Sequence, residues 1–319
     1  MPDENQKFTK KQHYIPRFYL RKFSQNDETL NVYDRKKGKN GEFRKDQSIN
    51  EIGHENNFYT YTDIGGERKN LEDVFGQFES SAGKILNKIE NKEILTPEDK
   101  EYFSVFLSLL YLRTPTSKKY MNKGTEQLYK ETMRMELATT PKEKFREFYE
   151  KKFGKGISDE KLEDLIDFGV NEKRSEIKVD IPNSYWIKQM LQLSMDITPV
   201  FNMLNWRVFF SEQKHAFIAS DNPFLLITTE KPDPFWGVGL LTQGALKVVP
   251  LTSNICLIMD EPDENPTISY KETTSKELQR AVNGSLTKKC DRCIFSASMG
   301  QLEKLVKEHK PYNRGDHSK

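Results

Sequence analysis

Two short segments concentrate residue types that packing alone rarely requires. The first is His13-Tyr14-Ile15-Pro16-Arg17-Phe18-Tyr19-Leu20-Arg21-Lys22-Phe23. A histidine titrates near neutral pH and can act as acid, base or phosphate donor. Arg17 and Arg21, one helical turn apart, would clamp an anion. The second is Ala219-Ser220-Asp221-Asn222-Pro223-Phe224, in which a strand delivers an Asp-Asn pair to a turn that proline forces back to extended geometry. A carboxylate held at a strand end is a common metal ligand or general base. Both segments also have a purely structural reading. One is a helix burying Ile15, Phe18, Tyr19 and Phe23 with His13 near its N-terminus, and the other is a capped turn.

Further charged groups could join them. Glu72 and Glu79 are seven residues apart on a helical pattern, so they share a face about 10 Å apart along the axis. Gly76 and Gly83 leave that face uncluttered. Arg113 stands where a strongly apolar helix ends, placed to pair with a carboxylate or a phosphate. The candidate catalytic groups are therefore His13, Glu79, Arg113 and Asp221, with Tyr14, Arg17, Arg21 and Asn222 as binding residues. Glu72, Glu79 and Asp221 would be the ligands of a Mg²⁺ or Mn²⁺ ion. Such a set suits a metal-assisted phosphodiesterase, and it suits equally a buried salt-bridge network or a non-catalytic pocket. The catalytic reading requires the His13 segment and Asp221 to meet. Tyr14, Phe18 and Phe23 would dock on the strands around Phe209, Phe217 and Phe224, and the carboxylate would raise the imidazole pKa.

The elements that must hold these residues fall into three stretches. Residues 1–12 read as a flexible start. Leu30–Tyr33 and Phe58–Thr62 read as strands, with a hairpin turn across Lys36–Gly41. Leu71, Val74, Phe75, Phe78, Ala82, Ile85, Leu86 and Ile89 recur at helical spacing. Thr96-Pro97-Glu98-Asp99 opens a helix to Leu112 with cap, first-position proline and first-turn acids in order. A further helix runs to about Leu137, and residues 141–180, dense in Lys and Glu, read as a helical insertion on the surface. Another helix spans about Asn183–Leu204. After Asn205 the period becomes two, giving strands at Trp206–Phe210, Ala216–Ala219, Phe224–Ile227, Ala245–Pro250 and Ile255–Met259. A helix at Ser275–Leu286, a strand at Cys293–Ala297 and a helix at Met299–His309 follow, then a flexible tail at 311–319. The prediction is one α+β domain over residues 13–310: a helical middle on a mostly antiparallel C-terminal sheet, with a small N-terminal β element.

Composition removes several classes. The 319 residues are 35% hydrophobic and 31% charged, and 50 basic against 48 acidic residues leave a net charge of +2. No apolar run approaches the length of a membrane span, and the first residues lack the apolar core of a secretory signal. Three cysteines, Cys256, Cys290 and Cys293, make neither a disulfide framework nor a four-ligand zinc site, which points to reduced thiols in the cytoplasm. The phosphate-binding loop of nucleotide enzymes is missing, so no nucleotide cofactor is expected. The bases between Lys36 and Lys45 read as a solvated hairpin or as a local track for phosphates.

The opening His-Tyr-x-Pro-x-Phe-x-Leu, the helix with Glu72 and Glu79, Leu112-Arg113-Thr114-Pro115, Ser220-Asp221-Asn222-Pro223 and Pro250-Leu251 together resemble the microbial domain-of-unknown-function family 4238. The motifs extend from residue 13 to about 297. The resemblance implies little chemistry and points toward prokaryotic anti-phage defence. Two functional expectations follow. One is a cytoplasmic nuclease or phosphotransfer enzyme acting on nucleic acid; the other is a non-enzymatic sensor that binds a protein partner through residues 141–180.

Overall fold

The computed structural model describes residues 10–63, 65–170, 177–228, 238–273 and 275–309. The expected flexible ends at 1–12 and 311–319 lie outside these residues, except for 10–12. The chain divides into two compact units. One comprises Met1–Ser117 with Ile187–Lys319, and the other is Lys118–Trp186. The helical segment expected at 141–180 thus belongs to a longer unit, and residues 171–176 within it are not described.

The first unit opens with β1 (Lys11–His13), α1 (Arg17–Arg21), β2 (Thr29–Asp34), β3 (Glu42–Ser48), β4 (His54–Asn56), β5 (Tyr61–Thr62) and β6 (Arg68–Lys69). Helices α2 (Glu72–Glu90) and α3 (Pro97–Leu112) follow. The β2–β3 hairpin turns where Asn-Gly was expected. Gly41 is obligatory there, because its φ is +82° and a Cβ would lie 2.3 Å from Tyr33 Oη. The capping box of α3 is complete: Thr96 Oγ1 accepts from Asp99 N–H, and the Asp99 carboxylate accepts from Thr96 N–H. Apolar residues all round α3 bury Phe103, Phe106, Leu107 and Leu110, with Phe103 against Phe106 and Trp206. Helix α2 turns Phe75, Ala82, Leu86 and Ile89 into the core, while Val74 and Phe78 of the same stripe stay exposed.

Helix α4 (Pro115–Thr139) leads into the second unit, with α5 (Lys142–Phe153) and α6 (Asp159–Val170); α7 (Asn183–Met203) leads out. Lys142 pairs with Glu163 and Arg146 with Asp159, joining α5 to α6. Gly169 of α6 lies so close to the Leu137 side chain of α4 that a Cβ would come within 2.2 Å of it.

The remaining elements return to the first unit: β7 (Leu204–Ser211), β8 (Ala219–Ser220), β9 (Leu225–Ile227), β10 (Leu246–Pro250), β11 (Ile255–Pro262), β12 (Ile268–Thr273), α8 (Lys276–Lys289), β13 (Cys293–Ser296) and α9 (Met299–Glu308). They build an α+β fold on two principal sheets. One has the order β12-β7-β11-β10-β9 and is antiparallel except for the parallel β12–β7 pair. The other, β3-β2-β13-β8, is antiparallel and joins strands from both ends of the chain. The N-terminal β element is therefore half of a shared sheet. Among the described residues no helix is long and apolar enough to cross a membrane.

The His13 segment is a strand followed by a helix, not one helix. β1 pairs with β4 in a three-residue ladder that sets His13 opposite His54, and Pro16 then starts α1. The segment is anchored to the C-terminal half: Tyr19 Oη donates to the Pro250 carbonyl at 2.7 Å, and Ser253 N–H to the Lys22 carbonyl at 3.0 Å.

Candidate functional site

A cleft of about 680 Å³ opens between the start of the chain and α2, lined by His13, Arg17, Glu72, Gly76, Gln77, Glu79 and Ser80. Strand β1 carries His13 and the first residue of α1 is Arg17. Helix α2 presents Glu72, Gly76 and Glu79 along one face, as their spacing requires. Gly76 has no packing reason to lack a side chain, since a Cβ there would meet nothing within 4 Å. It widens the cleft.

His13 is only 9% exposed. The main chain of Ile49 hydrogen-bonds its ring, while Nε2 is buried without a partner. A neutral imidazole carries its proton on one ring nitrogen and a lone pair on the other. The pKa is lowered to about 4, first by burial and then by the unfavourable neighbourhood of His54, Arg17 and Arg113, partly offset by the Ile49 main chain. This corrects the expectation of an imidazole raised by a carboxylate: burial, reinforced by basic neighbours, keeps the ring neutral at physiological pH. Glu72 behaves in the opposite sense. Burial and the nearby Glu79 raise its pKa, although the His13 main-chain N–H hydrogen-bonds its charged form.

Arg113 stands behind the cleft wall at 1% exposure, where Nη2 donates to Glu79 Oε1 at 2.8 Å. Its guanidinium carbon lies 5.3 Å from the Phe75 ring centre, and its carbonyl accepts from Tyr59 Oη. Thr114 Oγ1 accepts from Ser117 N–H and so caps α4, which explains the Arg-Thr-Pro run.

Asp221 sits elsewhere. It does not line the cleft, and its carboxylate is wholly buried. Oδ1 accepts from Asp291 N–H at 2.9 Å, and Oδ2 accepts from Arg292 N–H at 2.6 Å and Cys293 N–H at 2.7 Å. Burial raises its pKa to about 6 even against these three donors. Asn222 is similarly occupied, with Nδ2 donating to the Lys289 carbonyl and its N–H to Ser220 Oγ. The Ser220–Pro223 turn thus fastens the end of α8 to the start of β13. Tyr14 is buried against Phe58, in the field of Asp221 rather than in the cleft, and Arg21 is exposed on α1.

The structure therefore gathers His13, Arg17, Glu72 and Glu79, with Arg113 behind them, and leaves Asp221, Asn222, Tyr14 and Arg21 out. The three carboxylates expected to share a metal do not fit one: Asp221 is engaged by three amides and Glu79 by Arg113. Among the described residues no group of three His, Cys, Asp or Glu side chains is placed to hold a metal ion. His54, Gln77 and Ser80 were not foreseen. The His54 ring lies edge-on to His13, 5.4 Å between centres, and its Nδ1 is buried without a partner. Only the β1–β4 ladder reveals that pair, although helical spacing from Gly76 would have found Ser80.

Compared with known families, residues 11–299 match DUF4238, described as a protein of unknown function. The chain belongs to this family. Of the DUF4238 motifs, the His-Tyr-x-Pro opening and Arg-Thr-Pro build and support the cleft, whereas Ser-Asp-Asn-Pro builds a buried turn. Neither a curated protein nor a solved structure matches the chain.

Proposed function

We propose that the His13 cleft cleaves phosphodiester bonds of nucleic acid by general acid–base catalysis, in the cytoplasm and in the setting of anti-phage defence. One observation carries this reading. A neutral imidazole with an unpartnered Nε2 and a carboxyl group that holds its proton to higher pH share a cleft with the Arg17 guanidinium. A proton acceptor, a proton donor and a cation for phosphate are the groups phosphodiester cleavage uses.

The test is incubation of the purified protein with plasmid, single-stranded DNA and RNA, with Mg²⁺, Mn²⁺ or EDTA. Cleavage that falls by about 100-fold or more in His13→Ala supports the site; cleavage untouched by that change, or none of any substrate, removes it. The defence setting predicts fewer plaques on cells expressing the protein than on cells expressing His13→Ala.

A second reading is favoured by the apolar surface of the Lys118–Trp186 unit. Leu128 is 69% exposed and Phe148 61%, with Tyr129, Met135 and Leu165 also in solvent. Such side chains suit contact with another protein. Pull-down with and without residues 141–180 tests it, provided the shortened chain keeps its unfolding transition.

A further inference from the structure

We propose, building on the nuclease reading above, that the substrate of this cleft is RNA and that the RNA's own 2′-hydroxyl is the nucleophile. Hydrolysis by water needs a hydroxide, which nucleases commonly generate on a metal held by several carboxylates. Here Glu79 is ion-paired with Arg113, Asp221 is buried in its turn, and Glu72 is the remaining carboxylate that lines the cleft. An RNA strand removes the need for that water. Its 2′-hydroxyl lies next to the phosphorus, already positioned by the ribose. The protein then has to accept one proton, give one, and stabilise the extra charge on phosphorus.

The cleft supplies each of these. His13 lines the cleft, and its Nε2 is a buried polar atom with no hydrogen-bond partner in the protein. A ribose hydroxyl would meet that need, as DNA does not. Glu72 is the donor: it lines the same cleft as His13, and burial with the nearby Glu79 shifts it toward its protonated form. Arg17, at the rim and held by Asn50 Oδ1 at 3.3 Å, faces the phosphate. Arg113 does not touch substrate; it positions Glu79 and adds positive potential from behind. The open side of Gly76 leaves room for a nucleotide.

In the reaction the 2′-oxygen bonds to phosphorus as its proton passes to His13 Nε2. The bond from phosphorus to the 5′-oxygen breaks, and that oxygen takes the Glu72 proton. The products are a 2′,3′-cyclic phosphate and a 5′-hydroxyl, and His13 and Glu72 exchange their protons back through water. No co-reactant is consumed.

The experiment uses the full chain in EDTA with a short RNA, its DNA counterpart and the same RNA carrying one 2′-O-methyl group. Mass spectrometry of the RNA fragments should show 2′,3′-cyclic phosphate ends, the DNA should remain whole, and cutting should vanish at the methylated position. His13→Ala and Glu72→Gln should each slow cleavage by about 100-fold or more. Gly76→Leu should block it while the unfolding temperature stays at or above that of the parent, so a folding defect cannot account for the loss. Cutting of DNA, RNA ends bearing a 3′-hydroxyl, or activity abolished by EDTA would overturn the RNA proposal and leave the nuclease reading standing. Absence of cleavage of every nucleic acid, with Mg²⁺ and Mn²⁺ as without, would remove both.

Discussion

The His13 cleft and the Ser220–Pro223 turn begin with the same appearance: a short polar motif amid aromatic residues. In the turn the Asp221 carboxylate, the Asn222 amide nitrogen and the Ser220 hydroxyl all find protein partners. Both Asp221 oxygens are engaged by three amides, Asn222 bridges to Lys289, and Ser220 Oγ accepts from Asn222. In the cleft the needs are left open: His13 Nε2 is buried and bare, and so are His54 Nδ1 and Arg113 Nε. A buried polar atom without a partner costs about 1–3 kcal/mol, which the fold tolerates at the cleft and avoids at the turn. Polar residues that complete one another hold a fold together, and those that do not are available to a ligand.

The sharpest way to break this comparison is Asp221→Ala. It strands three main-chain N–H groups in the interior and should cost about 4 kcal/mol of folding stability. Urea unfolding measures this; a loss below about 1 kcal/mol would mean that the turn is not the structural clasp described here.

A smaller effect, and a more discriminating one, comes from pH. His13 has a folded pKa of about 4, below its ordinary value of 6.5, so the unfolded chain binds more protons between those limits. Its contribution to stability therefore rises with pH across that window. Asp221, raised from 3.8 to about 6, binds more protons when folded, so its contribution falls as pH rises from 3.8 to 6. The two groups oppose one another. Between pH 4.5 and 6, His13→Gln should lose the rising component, and Asp221→Asn should lose the falling one. Each variant should differ from the parent by about 2 kcal/mol over that interval, in opposite directions. Chemical unfolding at several pH values measures both, and curves shifted in the same direction would contradict the assignment.

The smallest expected change is at Gly76. With open space where its Cβ would be, Gly76→Ala should stabilise α2 by about 0.5–1 kcal/mol. A rise in melting temperature on calorimetry is the expected result; a fall would mean that the open face of α2 is occupied in solution.

Local chemistry made several of these elements legible. The Thr96–Asp99 capping box, the stripe of α2 and the turn of the β2–β3 hairpin all follow from neighbours in sequence. Pairings between distant residues do not. β12 escaped notice because its alternation lasts only through Ile-Ser-Tyr-Lys and its partner β7 lies some sixty residues earlier. Phe58 and Tyr59 looked like part of a strand because they are aromatic, yet only Tyr61–Thr62 is one. Tyr59 instead packs edge-on against Phe75. At the site, the seven-residue spacing of Glu72 and Glu79 and the terminal position of Arg113 were readable. The fate of Asp221 was not, because no residue pattern announces that the amides of residues 291–293 will turn toward a carboxylate. The sign of the His13 shift was hidden for the same reason: it comes first from burial of the ring and then from His54, which arrives through a ladder.

The sheet order β3-β2-β13-β8 has a consequence for how the chain is born. β2, with Leu30, Val32 and Tyr33 buried in the finished fold, emerges from the ribosome early, and β13 follows roughly 260 residues later. At about 5–20 residues per second the nascent chain carries an unpaired, apolar strand edge for on the order of 15–50 s. The residues lining the cleft lie before Lys100 and Arg113 follows soon after, so these parts of the site are synthesised long before the strand that completes that sheet. Until β13 arrives, the exposed edge of β2 is a natural point for a chaperone to hold the growing protein.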